Sequence, residues 1–167
     1  MRRSAHIDPS GRYRYSLRRI WASEAPRLCC VMLNPSTADA TTDDPTLRRV
    51  MGFARRWGFG GVEVVNLYGL RSRDPRALRE ATDPVGPGNP AAQRRALGRA
   101  GAVLLAWGRP GGRTEARAAF LRRLRSVQAQ RPELEVGVLA WTREREPVHP
   151  LYQPAERTLS PWGESGG

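Results

Sequence analysis

Asn34-Pro-Ser-Thr37 stands where the apolar run Leu28–Leu33 ends, and three carboxylates, Asp39, Asp43 and Asp44, follow within thirteen residues of Asn34. An asparagine amide is both donor and acceptor, so Asn34 could orient a water or read the edge of a base. Pro35 holds it extended. The same four residues also make a good turn, with Ser36 or Thr37 bonding the local backbone, and both readings stay open. These carboxylates could activate water or hold a divalent cation, and Asp39 is the more plausible functional one. Asp44, directly before Pro45, is better explained as a helix N-cap. No second acidic loop recurs, which speaks against a two-metal nuclease, and no metal site is expected.

Three further clusters carry polar chemistry. Asn66 ends the apolar run Val62–Asn66, and a buried amide there needs a partner such as water or ligand. Tyr68, two residues on, could stack on a flat ligand or belong to the core. The loop Gly108-Arg109-Pro-Gly-Gly-Arg113-Thr lies between a strand and a helix, where free N–H groups suit phosphate. Its spacing is not that of a P-loop. Arg109 and Arg113 could contact phosphates through their side chains. His149, in the proline-framed stretch His149-Pro-Leu-Tyr152, is the chain's only histidine besides His6. It could donate a proton, stabilise a leaving group or simply bond its own loop.

Other schemes fail on inspection. Cys29 and Cys30 are adjacent within an apolar run, so they point to opposite faces and form neither a zinc site nor a structural disulfide. No Gly-x-Ser-x-Gly elbow is present. No Gly-x-Gly-x-x-Gly follows a strand, so no dinucleotide cofactor is expected, nor any other cofactor.

These groups need a scaffold that gathers strand ends. The unbroken apolar run at 28–33 reads as a strand buried on both faces, and the apolar-rich stretches 62–68, 102–107 and 134–141 read as three more strands. Between them lie helical patterns: Leu47, Val50, Met51, Ala54 and Trp57; a short helix after Asp74-Pro75; one opened by Asn89-Pro90; and one carrying Phe120, Leu124 and Val127. Strands alternating with helices predict an α/β fold: a three-layer α/β/α sandwich with a mainly parallel four-stranded sheet. Tyr13–Trp21 adds an N-terminal edge strand or hairpin. Right-handed crossovers then bring Asn34–Thr37, Asn66–Tyr68, Gly108-Arg109 and His149 to one rim. Residues 12–156 are expected as a single domain, with 1–11 and 157–167 as flexible ends.

The chain has 167 residues and a net charge of +12, and all 28 of its basic residues are arginine. A GC-rich genome explains arginine over lysine but not the surplus over acids. A polyanion partner explains the surplus. Buried, unpaired cysteines suit a reducing cytoplasm, and no segment is long and apolar enough for a membrane span.

Read together, MLNPSTADATTDDPTLRR, VVNLYGLRSRDPRAL, DPVGPGN, LLAWG and HPLY resemble the bacterial domain-of-unknown-function 1643 family from about Tyr13 to Tyr152. That family's name implies no activity. More faintly, the layout is similar to the uracil-DNA glycosylase superfamily, with a strand ending in an Asn-Pro type turn, a second ending in asparagine and a late His-Pro loop. This similarity implies a uracil-DNA-glycosylase-like sheet, with Asn34 positioning water and Asn66 reading the base. His149 would stabilise the departing base and Leu151 would wedge into the duplex. Met32 and Leu151 depart from the residues usual at their places in that pattern.

The expected substrate-binding set is Pro35, Ser36, Thr37, Asn66, Tyr68, Gly108, Arg109, Arg113, Leu151 and Tyr152, around catalytic Asn34, Asp39 and His149. The expected activity is N-glycosidic bond hydrolysis on nucleic acid, DNA ahead of RNA, or on a nucleotide. A non-catalytic nucleic-acid-binding module and a small nucleotide-dependent hydrolase or transferase are the alternatives.

Overall fold

The computed structural model describes residues 1–109 and 114–163. Its elements are β1 (Arg2–Ile7), β2 (Arg14–Ile20), β3 (Arg27–Met32), α1 (Pro45–Arg56), β4 (Gly61–Asn66), α2 (Pro75–Glu80), α3 (Asn89–Arg99), β5 (Ala102–Leu105), α4 (Glu115–Gln130), β6 (Glu135–Val138) and β7 (Ser160–Pro161). The strands form one mixed seven-stranded sheet in the order β1-β2-β4-β3-β5-β6-β7. β4, β3, β5 and β6 are parallel to one another. β2 joins β4 antiparallel, β1 joins β2 antiparallel, and β7 joins β6 antiparallel. The α/β class holds, and the sheet is wider than the four central strands and N-terminal edge strand or hairpin expected.

Both edges account for the difference. Residues 2–7, read from sequence as part of a flexible end, form the edge strand β1, which makes β2 an inner strand. β1 is polar and mostly exposed, so it has no apolar alternation to reveal it. At the far edge, residues 160–161 lie within the stretch read as irregular, and they pair with Gly137 and Val138. The fourth parallel strand is also shorter than 134–141, ending at Val138.

The sheet separates two apolar clusters. On one face Leu47, Val50, Met51, Phe53 and Ala54 of α1 pack on Cys30, Met32, Val62, Val64 and Leu104. On the other, Ala92, Ala96 and Leu97 of α3 and Phe120 and Leu124 of α4 pack on Cys29, Val31, Val65 and Val103. The period of two in the strands thus divides Cys29 from Cys30, and both are buried free thiols, as their adjacency implied. α1 starts as expected: the Asp44 carboxylate accepts from Leu47 N–H at 2.7 Å, with Pro45 in the first turn.

α3 starts differently. Its N-cap is Gly88, with no side-chain cap, and Asn89 is already helical. The Asn89 side chain turns inward instead, donating to the carbonyls of Asn66 at 3.0 Å and Leu67 at 3.2 Å. Gln93 adds a bond to Asn66 O at 2.9 Å. Carbonyls at a strand's end have left the ladder, and these amides satisfy them where water cannot reach. The other end of α3 is tied by Arg99 to the buried carboxylate of Glu63. The loop before α3 wraps Tyr13 and Tyr15. It needs glycine at Gly86, where φ is 87° and a Cβ would sit 2.7 Å from the Tyr13 ring.

Candidate functional site

A cleft of about 420 Å³ opens at the carboxyl ends of β3 and β4, on the α1 face of the sheet. Residue spacing explains what reaches it. Met32 and Asn34 continue the face of Cys30, and Asn66 continues that of Val62 and Val64. The first turn of α1 supplies Asp44 to Leu47, and the segment after β6 supplies His149 and Leu151. Leu17, Met32, Leu47 and Val64 form the apolar part of the lining.

Asn34 is held by its own amide. Its Nδ2 donates to Ser72 O at 2.8 Å and Pro35 O at 3.1 Å. With both hydrogens spent on backbone, its Oδ1 is what remains to accept from a ligand or water. Asn66 is buried, and its Oδ1 accepts from Arg14 Nη2 at 3.5 Å.

His149 Nδ1 accepts from Leu151 N–H at 3.2 Å, so in the neutral ring the proton sits on Nε2. Burial lowers the His149 pKa below its usual value, and Asp44 pulls weakly the other way. His149 is therefore neutral at physiological pH and offers one donor. Gly108 packs beside His149 with φ 67°, a left-handed backbone that favours glycine.

Three charged residues that sequence reasoning passed over for this role complete the lining: Arg14, Asp44 and the exposed Arg73. Arg14 is only 4% exposed. Its Nη1 donates to Ala38 O at 2.7 Å, and its Nε is buried without a partner. Burial lowers its pKa to about 10, against the opposing pull of Asp44, so it stays a cation. Its presence on this face depends on a β-bulge. Ala5 pairs with Leu17 and His6 with Ser16, but Ile7 pairs with Arg14, which leaves Tyr15 as the extra residue. Arg14 and Leu17 therefore share a face, although their spacing in a regular strand would separate them. Asp44 is the cleft's carboxylate: Oδ1 caps α1, and Oδ2 accepts from Ser36 Oγ at 2.9 Å.

Of the residues expected from sequence, Asn34, Ser36, Thr37, Asn66, His149 and Leu151 line this cleft. Pro35 is buried beneath it, its carbonyl accepting from Ser72 N at 3.1 Å. Asp39 is elsewhere. Its Oδ1 accepts from the N–H groups of Thr41 and Thr42 and from Thr41 Oγ1, which lowers its pKa to about 2. It closes a turn and does not line the cleft, where Asp44 is the carboxylate. Tyr68 is 3% exposed and packs in the α3–α4 core. Arg109 is exposed and pairs with Glu144 at 3.3 Å. Tyr152 projects at 90% exposure with φ 68°, next to Leu151 and the first turns of α1. Arg113 lies outside the described residues. Among the described residues, no three His, Cys, Asp or Glu side chains gather as metal ligands. No helix among them is long and apolar enough to cross a membrane.

Fold and site together define an α/β protein with a deep, partly charged cleft beyond the carboxyl ends of its parallel strands. The chain belongs to the family described as protein of unknown function (DUF1643), whose model matches residues 14–151. That span begins at Arg14 and ends at Leu151, both residues of the cleft. No curated protein and no solved structure matches the chain.

Proposed function

We propose that the cleft holds a base and that the protein hydrolyses an N-glycosidic bond in nucleic acid or a nucleotide. One observation carries this reading: Asn34 and Asn66, at the ends of β3 and β4, and His149, from the segment after β6, line the same cleft. In this hydrolysis the glycosidic C–N bond breaks with its electron pair leaving on the base, and water oxygen bonds to the sugar carbon. The cationic sugar needs no strong nucleophile. It needs a donor toward the departing base and a held water on the other side. Neutral His149 presents its Nε2–H as that donor. The free Oδ1 of Asn34 accepts from the water, and Asp44, not Asp39, is the carboxylate at hand for the water's proton. Asn66 presents Nδ2 to the base edge. Leu151 stands at the lip, and Arg73, exposed there, suits a flanking phosphate.

The test is purified protein on oligonucleotides containing uracil, hypoxanthine or mismatches, scored for abasic sites. Asn34→Ala and His149→Ala should abolish base release while duplex binding stays within a few-fold of wild type. Turnover unchanged in both variants would end this assignment. A second reading, a nucleotide-dependent hydrolase or transferase, is favoured by Arg14, a buried cation with an unfilled N–H in the cleft. Binding of free nucleotides with no effect on oligonucleotides would select it.

A further inference from the structure

On the sheet face opposite the cleft, α3 and α4 leave a groove of about 330 Å³ lined by Arg94, Ala119, Arg122, Arg123, Ser126 and Val127. Three guanidinium groups share it with no carboxylate. Neither Arg94 nor Arg122 makes a hydrogen bond or ion pair with any described residue. Arg123 spends Nη1 on Gln93 Oε1 at 2.9 Å. Its pKa is lowered by burial first, then by Arg94 and Arg122, with no acid opposing them.

Helical spacing offers no relief either. The residues three and four away from Arg122 are Ala118, Ala119, Arg125 and Ser126, and those around Arg94 are Pro90, Ala91, Leu97 and Gly98. Other arginines of this chain are answered by acids, as Arg19 is by Asp43, Arg99 by Glu63 and Arg117 by Glu146. The small side chains of Ala119 and Ser126 meanwhile leave the space between the charges open.

We propose that the α3–α4 groove is a second binding site, separate from the cleft, that takes a phosphate group. A carboxylate has two oxygens and one charge, too few for three guanidinium forks. A phosphate or pyrophosphate presents enough of both. A small phosphorylated molecule and a nucleic-acid backbone offer the same oxygens.

The experiment compares wild type with Arg94→Gln/Arg122→Gln at low salt. It measures pyrophosphate binding by calorimetry and binding of a labelled single-stranded oligonucleotide by anisotropy. Arg2→Gln/Arg12→Gln, which removes the same charge elsewhere, is the control. The groove variant should lose pyrophosphate affinity by about tenfold or more. With no partner to lose, it should melt no lower than wild type without anion.

If a small molecule is the natural source, oligonucleotide binding stays unchanged in the groove variant. If the backbone is, oligonucleotide binding weakens and its salt slope flattens by about one to two. The proposal is overturned if both probes bind the groove variant as they bind wild type. It is equally overturned if the control loses as much as the groove variant, or if wild type binds neither probe.

Discussion

Two strand-to-helix connections leave the same edge of the sheet, one after β3 and one after β5, and they are built differently. The β3–α1 connection is held from inside. Arg14 bonds Ala38 O, while Arg19 bonds Asp39 O, Thr42 O and the Asp43 carboxylate, and Arg3 adds Thr41 O and Asp43 again. Arg19 itself is 0% exposed. After β5, Gly108 N bonds Pro147 O, and Trp107 Nε1 bonds Glu146, but Arg109 reaches only an exposed pair with Glu144. Thr114 enters α4 without a side-chain cap bond. Among the described residues, similar polar composition thus gives a fixed wall in one place and an exposed ion pair in the other. The difference lies in the neighbouring strand: β2 aims two arginines under the first connection, and nothing equivalent underlies the described residues of the second.

Removing the anchor should show the contrast at its largest. Arg19→Ala leaves the Asp43 carboxylate with Arg3 alone and takes a donor from three carbonyls, and should cost about 3–5 kcal/mol in denaturant unfolding. A loss below about 1 kcal/mol would mean that the connection supports itself. Next is Asn89→Ala, which leaves two buried carbonyls at the end of β4 short of donors, for about 1–3 kcal/mol. Base release, if present, should fall with it, because Asn66 loses its footing.

Arg109→Ala tests the other connection and should change stability by no more than about 1 kcal/mol. A larger loss would erase the distinction drawn between the two. The smallest expected effect is on pH dependence. The His149 pKa is lower folded than unfolded, so the unfolded chain binds more protons just below pH 6.5. Stability should rise with pH through that window and flatten above it. His149→Gln should remove this slope, and a slope of opposite sign would contradict the neutral ring.

Sequence made Asn34 and Asn66 legible because each closes an apolar stretch, and His149 because it is the lone histidine beyond the last strand; parallel strands bring their carboxyl ends to one rim. The α1 cap was legible for a similar reason, since its signal is local. Arg14 was not, because its orientation depends on a bulge defined only by pairing with β1, and β1 has no periodic signature. Asp44 was read as a cap. Its second oxygen, turned to Ser36 in the cleft, depends on how the loop folds back. Asn89 misled because Asn-Pro is a good cap signature. Only the tertiary position of β4's last carbonyls turns that amide inward.

Tyr15, the unmatched residue of β2, sets the phase of the strand. Deleting that one codon would place Arg14 two residues from Leu17, so regular alternation would keep both on the cleft face. The cleft would keep its buried cation, but the opposite face would lose the ring that stacks on Tyr13 at 5.9 Å. The extra residue thus lets one strand lend two neighbouring rings to the core without moving the cation out of the cleft.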